Sequence, residues 1–149
     1  MNAARRLRRA LTRIGVKVEV QADLTGRAPG VRIDTIPRHD AMRLLHTLSN
    51  ANCEAVCDYS YFGTERELEA LIYALDSTIR GSIRGAPSFA PQLPCRNCRT
   101  RAGLYVNRRV PPPLAEKLAA LIEKAAKSPQ PPPPCGWRSA GPTHHPQDC

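Results

Sequence analysis

Thirteen of the fifteen prolines lie beyond residue 86, and this placement limits the possible folds more than any other feature of the chain. Proline lacks the amide that helix interiors and central strands need. Regular structure is therefore expected up to about Gly81–Gly85, and a more extended chain after it. Charge divides in a related way. The net charge of the 149 residues is +9. Residues 1–40 hold nine basic and four acidic residues, and residues 41–80 hold three and six. Residues 81–113 hold six arginines and no acid, and residues 114–149 hold four basic and three acidic residues. Two basic blocks thus flank an acidic, apolar middle.

Within the first part the hydrophobic spacing is regular. Leu7, Leu11 and Ile14 fall on one face of a helix over residues 1–14, with Arg5, Arg6, Arg8, Arg9 and Arg13 on the rest and Gly15 as a left-handed stop. Val16 to Val20 and Val31 to Ile36 alternate apolar and polar residues, the pattern of half-buried strands. The turn-rich stretch from Gln21 to Gly30 would join them as an antiparallel hairpin. Pro37 suits the first position of a second helix carrying Ala41, Leu44, Leu45 and Leu48. Glu54 to Phe62, with Cys57, Tyr59 and Tyr61 on one face, reads as a third strand. Thr64 and Glu67 form a capping box ahead of a helix with Leu68, Leu71, Ile72, Leu75 and Ile79.

The fold class expected is α+β, in the order helix-strand-strand-helix-strand-helix. A right-handed crossover would set the third strand parallel to the second, giving a three-stranded sheet with helices on one face. Lys17, Glu19, Arg32 and Asp34 would then point to the uncovered face. By residue number, a compact domain spans 1–81 and a basic Cys/Pro-containing segment 82–113. An amphipathic helix at 114–127 has Leu114, Leu118, Leu121 and Ile122 as its stripe, and a Pro-rich tail at 128–149 is expected to be disordered.

Arginine dominates the functional signals. The opening helix and the segment with Arg84, Arg96, Arg99, Arg101, Arg108 and Arg109 carry no acid, and Tyr105 sits among the latter as a stacking partner. The guanidinium fork suits phosphates and stacks on bases. The first function expected is therefore that of a small basic nucleic-acid-associated regulatory or accessory protein, contacting phosphates through these two elements. It would have little sequence specificity, because no recognition-helix motif is present. Some of these arginines would instead pair with Glu65, Glu67, Glu69 and Asp76. The alternative is a non-enzymatic adaptor that recruits a protein partner through Leu114, Leu118, Leu121 and Ile122 and the Pro-rich tail.

Six cysteines stand at positions 53, 57, 95, 98, 135 and 149. Met1 to Ile14 lacks the apolar core of a secretory signal, and no apolar run nears the roughly 18 residues that span a bilayer. A cytoplasmic, thiol-reducing setting follows, in which disulfides are disfavoured. Cys95 and Cys98 have the spacing of a zinc knuckle, and Cys53 and Cys57 would complete four ligands of a structural zinc bracing the arginine-rich segment. The plainer alternative is that these are small buried apolar residues and a loop pair. No phosphate-cradling glycine loop, nucleophile elbow or His-Glu-x-x-His pattern occurs, so no catalytic residue is assigned. His39 and His46, two turns apart, are expected on a helix surface.

Overall fold

The fold was obtained as a computed structural model, and residues 2–49, 64–95, 97 and 99–127 are described. It is a mixed α+β fold, with four helices and five short strands among the described residues. Helix α1 spans Asn2–Arg13, and strands β1 and β2 span Val20–Asp23 and Gly30–Ile33. Strand β3 is Ile36–Pro37, helix α2 is Arg38–Ser49 and helix α3 is Thr64–Arg80. Strands β4 and β5 span Phe89–Gln92 and Gly103–Val106, and helix α4 spans Pro112–Lys127.

Helix α1 ends as the sequence indicates. Gly15 has a φ of +86°, and the amides of Gly15 and Val16 donate back to the carbonyls of Thr12 and Leu11 at 3.0 and 2.9 Å. These two bonds are the Schellman arrangement that a left-handed glycine permits. The chain then runs extended, with Val16, Val18 and Val20 buried and Lys17 and Glu19 exposed. The expected alternation is present, but ladder pairing begins only at Val20, opposite Ile33. Beyond Asp34 the partner chain leaves β1 and pairs with β5, so the first half of the expected strand has no ladder to join.

The sheet differs from the single three-stranded one expected. β1 and β2 form an antiparallel pair, and a second sheet has the order β3-β5-β4 with both pairings antiparallel. The expected parallel third strand, Glu54 to Phe62, lies outside the described residues. Two strands come instead from the arginine- and proline-rich segment. β4 is a sheet edge, where Pro91 costs no ladder hydrogen bond. Pro37, expected as the first residue of α2, is the end of β3 and pairs with Gly103.

The buried cluster accordingly does not stop at Gly85. It includes Leu104, Val106, Val110, Ala115, Leu118, Ala119 and Ile122 together with Leu7, Leu45, Leu68, Leu71, Leu75 and Ile79. The cluster draws on residues to both sides of residue 81, because burial follows side-chain pattern and not proline content. Ala3, Ala4 and Ala10 of α1 are buried, as are Ala115 and Ala119 of α4, and such small side chains let two packed helices approach closely. The Arg6 guanidinium clasps the pair, donating to both oxygens of Glu123 at 2.8 and 3.2 Å. Those hydrogen bonds, and then the charge of Arg6, hold the Glu123 carboxyl below the usual carboxylate range.

Glu67 was expected to cap its own helix. Its carboxylate is buried and faces the Arg38 guanidinium at 3.0 Å, so it ties α3 to the start of α2. His46 is buried in α2, not on its surface, while His39 is exposed.

Candidate nucleic-acid interface

The arginines expected to touch phosphates separate into two groups. Arg6 holds Glu123, Arg8 lies 3.4 Å from Glu19, and Arg109 lies 3.9 Å from Asp23. These three are engaged within the fold. Among the described residues, Arg5, Arg9, Arg13, Arg84, Arg99, Arg101 and Arg108 have no carboxylate within 4.0 Å, and all are exposed. Arg96 lies outside the described residues. Glu65, Glu69 and Asp76 pair with none of the expected set, since the pairs involving α3 are Arg38–Glu67, Arg66–Glu69 and Arg80–Asp76.

The unpaired arginines belong to two surfaces. On α1, Arg5, Arg9 and Arg13 recur every four residues, about 6 Å apart along the axis. With Asn2, Arg6 and Ala10 they line a groove of about 430 Å³ beside α4. Its one acidic residue is Glu123, already occupied by Arg6.

The second surface is on the open face of the sheet. β4 and β5 are the regular part of a longer hairpin. The same register carries Ser88 to Asn107 (2.9 Å) at one end and Cys95 to Thr100 (3.1 and 3.2 Å) at the other. A short turn containing Arg99 at φ +56° closes it. Cys95 stands at the foot of this turn; Cys53, Cys57 and Cys98 lie outside the described residues. Among the described residues no cluster of three or more metal-ligating side chains is found.

On its other side, the β5 chain pairs with β2 and β3 at two separated points. Leu104 is opposite Ile36, and Val110 is opposite Val31, the latter through two 2.8 Å hydrogen bonds. Six residue steps on one strand match five on the other, so the β5 chain carries one extra residue between the anchors. Such a bulge opens the ladder and re-aims side chains. The opening is a cavity of about 490 Å³ bordered by Asp23, Arg32, Asp34, Thr35, Tyr105, Asn107, Arg108 and Arg109. Arg32 and Asp34, expected on the uncovered face, are both there.

One end of this cavity is fixed by Arg109. Its guanidinium covers Gly26, and its Nη1 donates to the Ala28 carbonyl at 3.3 Å. A side chain at residue 26 would overlap that guanidinium. Asp23 accepts from the hydroxyl and the amide of Thr25. Those bonds, and more weakly the charges of Arg109 and Arg32, hold its carboxyl below the usual range. Arg109 was expected on phosphate; it serves instead as a strut for the β1–β2 loop. Nothing local in the sequence marks that role, because its partners lie about eighty residues away.

The apolar stripe expected to recruit a protein partner is used internally. Leu118 and Ile122 are buried, and Leu114 and Leu121 pack partly buried against the core, Leu114 beside Gly85. The stripe of this helix therefore packs on the core, and the Pro-rich tail lies outside the described residues. Among the described residues, no helix is long and apolar enough to cross a membrane. No protein-family model matches the chain, and no curated protein or solved structure matches it.

Proposed function

We propose that this protein is a small, non-enzymatic nucleic-acid-associated protein of the cytoplasm that holds the phosphate backbone through basic surfaces. One observation carries the proposal. α1 presents Arg5, Arg9 and Arg13 on successive turns, and the single carboxylate beside them is bound by Arg6. Guanidinium groups so placed meet phosphates without first having to leave a carboxylate. Arg84, Arg99, Arg101 and Arg108 add positive charge from the segment beyond Gly81, with Arg6 and Arg8 serving α1 as internal ties.

A salt titration of oligonucleotide binding tests this on the full chain. Substituting Arg5, Arg9 and Arg13 together by alanine is expected to lower the slope of log K against log salt by about 2–3, from roughly 0.7–0.9 per phosphate contact. Alanine keeps the helix, because these side chains point to solvent and alanine has the highest helix propensity. An unchanged slope, with the helix content of the wild type, would remove α1 from the interface.

A structural zinc held by Cys53, Cys57, Cys95 and Cys98 belongs to the same proposal as a brace on the β4–β5 hairpin. Thiolates at such spacing suit zinc, and Cys95 at the foot of a tight turn is a fitting position for one of them. Roughly one equivalent of zinc is expected in protein purified under reducing conditions. Its absence would discard the brace and leave the α1 proposal standing.

A further inference from the structure

We infer that the cavity on the open sheet face takes an unpaired base of a single-stranded nucleic acid, stacked on Tyr105, with the adjoining phosphates on Arg32 and Arg108. This rests on the nucleic-acid proposal above and names the form of nucleic acid. Tyr105 is 47% exposed on the face opposite the core, although its neighbours Leu104 and Val106 are buried. Its partner across the ladder is Ala90, whose single methyl leaves the flank of the ring uncovered. On the other flank the bulge has drawn the ladder apart, so the ring borders an opening of about 490 Å³. That lies within the roughly 300–1,000 Å³ of ligand clefts.

The rim matches the chemistry of a nucleotide. Asn107 offers both a donor and an acceptor to a base edge, and Asp34 and Thr35 offer acceptors. Arg32 and Arg108 have no carboxylate within 4.0 Å among the described residues and are exposed. Asp23, the other acid at the rim, is occupied by Thr25 and Arg109. Arg32, Arg108 and Arg109 against Asp23 and Asp34 leave the rim net positive, and Asn107, Asp34 and Thr35 supply hydrogen-bonding groups beside the ring. A base within a duplex shows no free face to a side chain, so only an unpaired base fits.

Fluorescence anisotropy on the full chain tests the inference. The probes are a labelled oligodeoxythymidylate of about twelve nucleotides and the same strand annealed to its complement. The wild type is expected to prefer the single strand. Tyr105→Ala is expected to weaken single-strand binding about five- to a hundredfold and leave duplex binding and the thermal midpoint unchanged. Tyr105→Phe should retain the wild-type affinity, because the ring and not the hydroxyl makes the stack. Equal affinity of wild type and Tyr105→Ala for the single strand overturns the inference, as does an equal loss on both probes. If binding persists in Tyr105→Ala and depends on Arg5, Arg9 and Arg13, the nucleic-acid proposal stands without the stacked base. If the wild type binds neither probe, both fail.

Discussion

A chain ended at Gly85 is expected to show no cooperative unfolding transition. Composition alone makes Gly85 look like a safe place to cut, since the proline- and arginine-rich sequence begins there. The structure puts Leu104, Val106, Val110, Leu118 and Ile122 in the same buried cluster as Leu7 and Leu71. Burying one such side chain is worth about 1.5–3 kcal/mol, so five approach the whole net stability of about 5–15 kcal/mol for an average domain. The cut also strips α1 of the helix it packs on and leaves β3 without its partner β5. A far-UV circular dichroism melt of the fragment is the measurement. A sigmoidal transition near that of the full chain would show that residues 1–85 hold a core of their own.

Gly103→Val is expected to destabilise the full chain by about 2–4 kcal/mol, from overpacking and weakened ladder bonds. The reason is space and not backbone conformation. A Cβ at this position would lie 2.5 Å from the Ile36 carbonyl oxygen and 3.1 Å from Thr35 Cγ2. The Ile36 carbonyl belongs to the strand paired with β5, so it moves only if β3 moves with it. Above Gly103 the Thr35 hydroxyl donates to Gln92 Oε1 at 3.0 Å, joining the residue that leads into β3 to β4 across the middle strand. Only a residue without a side chain lets that bridge pass. Urea denaturation with an unchanged midpoint would refute this account.

How much of this was legible in the sequence depends on distance along the chain. The span of α3 is local information: Leu68, Leu71, Leu75 and Ile79 repeat at helical spacing, and all four are buried. The left-handed stop at Gly15 and the antiparallel β1–β2 pair are equally local. β4 was not legible, because Phe89-Ala-Pro-Gln92 lacks alternation and proline argues against a strand unless the strand is an edge. That edge position is a property of the sheet. The burial of Leu118 and Ile122 was readable as a stripe, but its partner, α1, stands at the other end of the described fold. For the basic surfaces, composition located the arginines, and only the fold separated Arg6, Arg8 and Arg109, tied to acids or carbonyls, from Arg5, Arg9 and Arg13. Tyr105 was legible as an aromatic among arginines. Its cavity was not, since the bulge beside it arises from the pairing of Val31 with Val110.

The clasp between α1 and α4 also carries a meaning for how the chain reaches this fold. Arg6 and Glu123 are 117 positions apart, and the alanine-lined contact around them is as remote in sequence. At a synthesis rate of roughly 5–20 residues per second, α1 exists for about ten seconds before its partner is made. During that interval Leu7 and Leu11 have no α4 to cover them, and the five arginines on the same short helix keep the segment charged and soluble. The arginine face of α1 thus places charge on a helix whose apolar face waits for a partner from the far end of the described chain. Closing a loop of that length costs chain entropy, which the α1–α4 packing must outweigh.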